Sequence, residues 1–252
     1  MTYLSRLSSN LILRDDLDKD QLASSLLCMN GMKLLAFAED NNAIPLTKSG
    51  MFYRKFVVWA VEEFKWPGHD PDILYAVNKV LNEEDFTPLN IMHELLLSGQ
   101  LLKHIKGDAV LTETGRQVLG NHGVFQALMF ETYFTDFDFS AHERFPIEIE
   151  EADYRHFLGV IGNRLDSWTA FDVLAEWCLP IYAFTQWRIS PLSDACLYLM
   201  SNLVRPLNWL GLLEEAPRRG PIPLEQRRFR KTELFDQFLF FDTSKLGTAS
   251  IH

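Results

Sequence analysis

The sequence predicts a mostly α-helical protein carrying small β-hairpins, arranged as two similarly built units. Three observations lead there. The segment LLKHIKGDAVLTETGRQVL, Leu101–Leu119, reads as a short strand, a Gly107-Asp108 turn suited to positive φ, a second strand, and a helix opened by Thr112. A helix-rich stretch precedes it: apolar residues at 52, 56, 57, 60, 61 and 64 keep one helical face buried. The same grammar returns near the C-terminus, where Trp209–Leu213 leads through a basic loop into RKTELFDQFL.

Taken in order, residues 1–25 are polar and charge-mixed, expected as a loosely held arm or short docking helix. Leu26–Ala38 predicts a helix. Asn41-Asn42 and Pro45 mark a turn, and Leu46-Thr47-Lys48 a short strand whose threonine caps the next helix, Phe52–Phe64. Pro67, Gly68 and Pro71 break that helix. Asp72–Leu81 is a second amphipathic stretch. Thr87–Leu97 is a third, with Thr87 as N-cap and Pro88 at the first helical position. The hairpin Leu101–Ile105 and Ala109–Leu111 follows, then a helix from Thr112 to Leu119.

Phe125–Phe139 is dense in Phe and Tyr, and with the acidic run after it forms an expected bridge over 121–153. Its rings are expected to pack, on the opposite unit or at a homodimer interface. Helices resume at Tyr154–Asn163 and Trp168–Leu179, Pro180 and Pro191 interrupt, and Ser193 caps Ser193–Val204. Trp209–Leu213 and Phe229–Lys231 read as strands around the loop Glu214–Arg228, and Thr232–Phe240 as the last helix. The organisation expected is thus an arm (1–25), one unit (26–120), a bridge (121–153), a second unit (154–241) and a disordered tail (242–252). The two closing segments share Thr112/Thr232, Glu113/Glu233, Gln117/Gln237 and Leu119/Leu239, with the second connection nine residues longer.

This order, helices and then a hairpin and a closing helix, is winged-helix-like. GQLLKHIKGDAVLTETGRQVL is similar to the wing and following helix of bacterial MarR-type regulators. More narrowly, AIPLTKSGMF, NEEDFTPLNIMHELLLSGQLL and LTETGRQVL together resemble a bacterial module, over roughly residues 27–140. In the transposon-passenger group that module often follows a domain first described as an open reading frame of Ri plasmids. That preceding domain has no counterpart in this sequence. The resemblance implies a fold and supplies no catalytic residue.

Composition narrows the function classes. No apolar run approaches the ~18 residues of a membrane span, and MTYLSRLSSN lacks the pattern of a secretory signal. Cys28, Cys178 and Cys196 lack CxxC spacing and sit in apolar settings, as buried reduced thiols do. A cytoplasmic protein without a membrane partner fits. The net charge of −10 opposes broad attachment to nucleic acid. Charge is nonetheless segregated: six basic residues against Glu225 between Arg218 and Lys231, and eight acids against Arg144 between Glu131 and Asp153.

In a winged helix the third helix enters the major groove and the wing touches phosphate or the minor groove. In the first unit that helix offers only Asn90 and His93, with Glu83, Glu84 and Asp85 placed to repel phosphate. Its hairpin adds Lys103, His104 and Lys106. The second unit offers more. Asn202, Arg205 and Asn208 fall three apart, with Asn202 and Arg205 expected at base edges. Arg218, Arg219, Arg227, Arg228, Arg230 and Lys231 are expected on phosphates. The same cations could instead pair with acids of the chain, Glu143–Asp153 being available, and both readings stay open.

Enzyme motifs are missing: no HExxH, no phosphate-binding glycine loop, no GxSxG and no dinucleotide fingerprint. His69-Asp70 and His93-Glu94 point apart on a helix, and His142, Glu143 and His156 lack ligand spacing, so neither metal nor cofactor is expected. Two functions follow. One is a non-enzymatic regulator or adaptor binding DNA or RNA weakly through the second unit. The other is a protein-interaction scaffold that does not bind nucleic acid.

Overall fold

The computed structural model describes residues 2–7, 10–137, 151–179, 194–218 and 220–242. Two units emerge, Asp18–Phe137 and Met1–Leu17 with Asp138–His252. Both are mostly helical with small antiparallel sheets. Expectations placed on 138–150, on Pro180, Pro191, Ser193 and Arg219, and on the tail from 243 onward lie outside the described residues.

The chain begins in strands. β1 (Thr2–Leu4) pairs antiparallel with β2 (Leu11–Arg14), with Tyr3 opposite Leu13. Leu11 and Leu13 are fully buried, so alternate residues of β2 face a core. The expected loose arm is corrected accordingly: β2 pairs in turn with Leu239–Phe241, a partner too far along the chain to show in the local sequence.

In the Asp18–Phe137 unit, Ser25 caps α1 (Leu26–Asp40) by accepting from the Cys28 amide at 3.2 Å. β3 is Ile44–Pro45, earlier than expected, and Leu46 bridges Phe52 so that α2 starts late, at Arg54–Phe64. Pro71 starts α3 (Pro71–Val77), because proline lacks only an N–H that the first turn does not use. A 3₁₀ turn, Glu83–Asp85, leads to α4 (Thr87–Ser98). Thr87 is helical and makes no cap; Asn82 and Asp85 form a capping box on the preceding turn instead.

β4 (Leu102–Ile105) and β5 (Asp108–Leu111) pair around Lys106-Gly107, whose φ values of 52° and 91° suit a tight two-residue hairpin. The turn therefore lies one residue before the expected Gly107-Asp108. β3 pairs β5, making the strand order β3-β5-β4. α5 (Glu113–Val118) and α6 (His122–Glu131) follow, then a π-helical turn, Thr132–Asp136. Residues 121–137 belong to this unit, where the sequence suggested a bridge, and their apolar face fills its core: Phe125, Met129 and Phe130 are fully buried, and the Ser25 hydroxyl donates to Gln126 Oε1 at 2.8 Å.

The other unit repeats the order. α7 (Glu151–Arg164), β6 (Thr169–Ala170), α8 (Phe171–Cys178), α9 (Asp194–Leu199), a π-helical turn (Met200–Val204) and α10 (Arg205–Trp209) precede the hairpin β7 (Leu213–Glu215) and β8 (Arg228–Lys231). α11 (Glu233–Phe238) and β9 (Leu239–Phe241) close it. Strand order is β6-β8-β7, and β9 extends the sheet of β1 and β2. Trp209 ends a helix instead of opening a strand, and Pro206 lies in the first turn of α10, where it is tolerated.

Hydrogen bonding at the two closures matches step for step. Leu101 N donates to Leu96 O at 2.8 Å, and Leu212 N to Leu207 O at 2.8 Å. Thr112 Oγ1 donates to Gln100 O at 2.6 Å and accepts from Gly115 N at 2.9 Å. Thr232 Oγ1 donates to Gly211 O at 2.6 Å and accepts from Phe235 N at 3.3 Å. Gln100 and Gly211 both carry positive φ, 56° and 74°. Each threonine thus caps the closing helix and fastens it to the turn before the hairpin, and the extra residues of the second connection lie between its strands.

Candidate functional site

The basic hairpin of the second unit is built by strand pairing. Glu214 stands opposite Arg230 and Glu215 opposite Phe229. Arg230 Nε donates to Glu214 Oε1 at 2.5 Å, and its guanidinium lies 4.5 Å from the Trp168 ring centroid. Arg227 grips Glu215 with both arms, Nε to Oε1 at 2.8 Å and Nη2 to Oε2 at 2.6 Å, a fork that fixes its plane. Arg218 Nε reaches the same carboxylate at 2.9 Å. Arg228 Nη2 donates to the Trp168 carbonyl at 2.9 Å.

Lys231 Nζ donates to Gly162 O at 2.8 Å and Asp236 at 2.9 Å, and lies 3.0 Å from Asp166. Burial opposes its charge, but its hydrogen bonds to Asp236 and Asp166 outweigh that and hold its pKa above the ordinary lysine value. Of the residues expected on phosphates, Arg218, Arg227 and Arg230 thus pair with Glu214 and Glu215 of the hairpin, Arg228 reaches the Trp168 carbonyl, and Lys231 ties its strand to Gly162, Asp166 and Asp236. As loop residues Glu214 and Glu215 do not announce themselves as partners, because it is antiparallel pairing that sets Glu214 across from Arg230 and brings Glu215 within reach of Arg227.

The expected base readers do not share a face. Asn202 is completely buried in the π-helical turn, so it cannot present its amide to a base edge. Arg205 is half-buried and donates to Ser201 Oγ at 3.2 Å. Asn208 Nδ2 donates to Leu213 O at 3.1 Å, tying α10 to β7. The π turn adds residues per turn, so a three-residue spacing no longer stacks side chains.

In the first unit, Lys103 and Lys106 are exposed, but His93 is 3% and Glu83 1% exposed. Glu83 is thus turned inward, unlike the phosphate-repelling role expected of it. Its Oε2 accepts from Phe52 N, and its Oε1 lies 2.7 Å from His93 Nδ1. His93 Nε2 lies 3.0 Å from His104 Nε2, and Phe52 stacks on the His93 ring at 3.8 Å. Hydrogen bonds between Glu83 Oε1 and His93 Nδ1 and between the two Nε2 atoms link the three side chains in a row. The chain carboxyl–imidazole–imidazole ties the turn before α4 to the strand after it. All three residues stand out in the sequence, but ten and eleven positions separate them in turn, and only the fold brings them together. A cleft of about 470 Å³ beside Glu83, lined by Thr47, Ser49, Phe52, Arg54 and Glu84 among others, meets a carboxyl whose two oxygens are already engaged.

Burial, and then neighbouring His93, lower the His104 pKa, while Glu83 opposes them. The unfolded chain takes up a proton near the ordinary value of 6.5, before the folded chain does. This contribution is complete above that value and is lost as pH falls through it toward the lowered folded one. Unfolding in urea at about pH 7.5 and about pH 5.5 is expected to show a larger drop in the native chain than in His104→Gln. Parallel pH profiles would contradict the coupling.

Cys28 and Cys178 are buried and burial pushes both thiols up to about 12, whereas Cys196 is only half-buried, short of the burial expected of it. Among the described residues no three His, Cys, Asp or Glu side chains gather as a metal site, and no helix is long and apolar enough to cross a membrane.

Comparison with known proteins places the chain. Residues 23–124, inside the Asp18–Phe137 unit, match the family described as the Y4jL N-terminal domain. An uncharacterized protein, y4jL of Sinorhizobium fredii (strain NBRC 101917 / NGR234), is 32% identical over 169 residues, covering 67% of this chain and 77% of that protein. The chain belongs to the y4jL family. Because 169 aligned residues exceed the matched domain, likeness to the y4jL protein extends beyond the N-terminal domain. No solved structure matches the chain.

Proposed function

We propose that both units are winged-helix modules and that the chain is a non-enzymatic cytoplasmic adaptor whose partners are proteins, not nucleic acids. Strand orders β3-β5-β4 and β6-β8-β7, each with the early strand beside the returning hairpin strand, support the first part. One observation carries the second: Arg218, Arg227, Arg230 and Lys231 each lie within 3.0 Å of a carboxylate of their own unit. A cation so engaged must give up its partner to reach a phosphate, which removes most of the gain from counterion release.

Fluorescence anisotropy with mixed-sequence DNA and RNA at low salt is expected to show no saturable binding at micromolar protein. Arg227→Ala should instead lower the urea-unfolding stability of its unit by about 1–2 kcal/mol, the worth of a forked charged hydrogen bond. Binding that weakens steeply with salt and disappears in an Arg218→Ala/Arg228→Ala variant would replace this reading with weak nucleic-acid recognition through the second unit.

A further inference from the structure

The stretch between α2 and α4 leaves an unusual amount of apolar surface in water. α3 buries only Leu74, while Ile73 is 53%, Tyr75 46%, Val77 81% and Val80 39% exposed. Ile73 and Val77, four residues apart, stand on one helical face. Singly exposed apolar residues are ordinary, but four large ones within eight residues, two of them stacked on one helical face, are the kind of surface that marks interaction sites.

Charge identifies the occupant. From Glu62 to Asp85 there are seven acids against Lys65 and Lys79, an excess of −5 in a chain whose total is −10. Glu83 is buried, and Asp85 accepts from Asn82 N, but Glu62, Glu63, Asp70, Asp72 and Glu84 are exposed. Favourable charge at a helix N-terminus accounts for Asp70 and Asp72 at most. Asp70 makes no side-chain cap, leaving its carboxylate to face outward chemistry. A second copy laid patch on patch would set acid against acid, which disfavours self-pairing there.

We infer that α3 and the residues through Val80 form a docking surface for an amphipathic, basic segment of a partner protein. Ile73 and Val77 on one face of α3, with Val80 just past its end, cover its apolar stripe, and Asp70, Asp72 and Glu84 meet its lysines or arginines. The inference rests on the adaptor reading above.

The test uses the full chain and a fluorescein-labelled 18-residue peptide of leucine and lysine, with leucines at helical i, i+3, i+4 and i+7 spacing. Two controls accompany it: the same composition with leucines scattered, and the same stripe with glutamate for lysine. The striped basic peptide is expected to bind tightest. Ile73→Ser with Val77→Ser should weaken it roughly tenfold, as loss of two apolar anchors does. Asp70→Asn with Asp72→Asn should weaken it roughly threefold and flatten its salt dependence. These side chains are exposed, and unchanged melting temperatures verify that folding is intact.

Failure of the striped basic peptide to bind, equal affinity for the glutamate peptide, or affinity unaffected by both variant pairs would each overturn the inference. The two readings fail separately. Loss of this surface with no DNA or RNA binding leaves the adaptor standing, whereas salt-sensitive binding through the hairpin arginines removes it whatever the peptide does.

Discussion

Glu83→Ala is expected to lower the stability of the Asp18–Phe137 unit by about 3–5 kcal/mol, because truncation strips a buried cluster of its acceptor. Both carboxyl oxygens are engaged, one by Phe52 N and one by His93, and the residue is 1% exposed. Alanine takes away the acceptor of the Phe52 amide and the partner of the His93 ring, both inside a buried cluster. Glu83→Gln keeps one acceptor oxygen but turns an N–H toward a donor, so a smaller loss, about 1–2 kcal/mol, is expected. Urea unfolding followed by amide exchange in α2 and α4 measures the loss unit by unit. A change in Glu83→Ala no larger than that of an ordinary surface substitution would show the cluster to be energetically idle.

Gly115→Ala should be the second costly change, at about 2–3 kcal/mol despite adding one methyl group. A Cβ there would stand 2.3 Å from Leu101 O and 3.0 Å from Leu111 Cδ2. Leu101 O is not movable at little cost, since it accepts from Thr112 N at 3.0 Å and fixes the hairpin to its closing helix. Alanine normally favours a helix over glycine, so a rise in stability would contradict the close approach. Thermal unfolding of the variant beside the native chain decides the sign. The equivalent position in the other unit is Phe235, which receives the same threonine cap and is buried at 2% exposure. Identical capping thus coexists with the smallest and one of the largest side chains at one site, each matched to its own surroundings.

The local grammar of this protein was legible. Thr112 and Thr232 announce their helices because a hydroxyl three residues before an amide is a short-range fit. The hairpin of Leu102–Leu111 follows from a turn that needs positive φ, and the α2 face from apolar spacing. Two boundaries slipped by a residue or two where a single bridge, Leu46 to Phe52, outcompeted helix start. The candidate site was less legible. Its arginines are plain in sequence, but a run of cations reads as available until strand pairing sets Glu214 across from Arg230 and brings Glu215 within reach of Arg227.

Sequence alone determined the class, mostly helical with small hairpins, and the paired closures, since caps, turns and apolar periods act across a few residues. Tertiary structure alone decided that Leu11–Leu13 would pair with Leu239–Phe241, that Phe125–Phe134 would fill a core, and that Glu83, His93 and His104 would meet. Those outcomes depend on which buried polar groups and strand edges find partners far along the chain, and such choices are made by satisfying hydrogen bonds and excluding water over the whole unit at once.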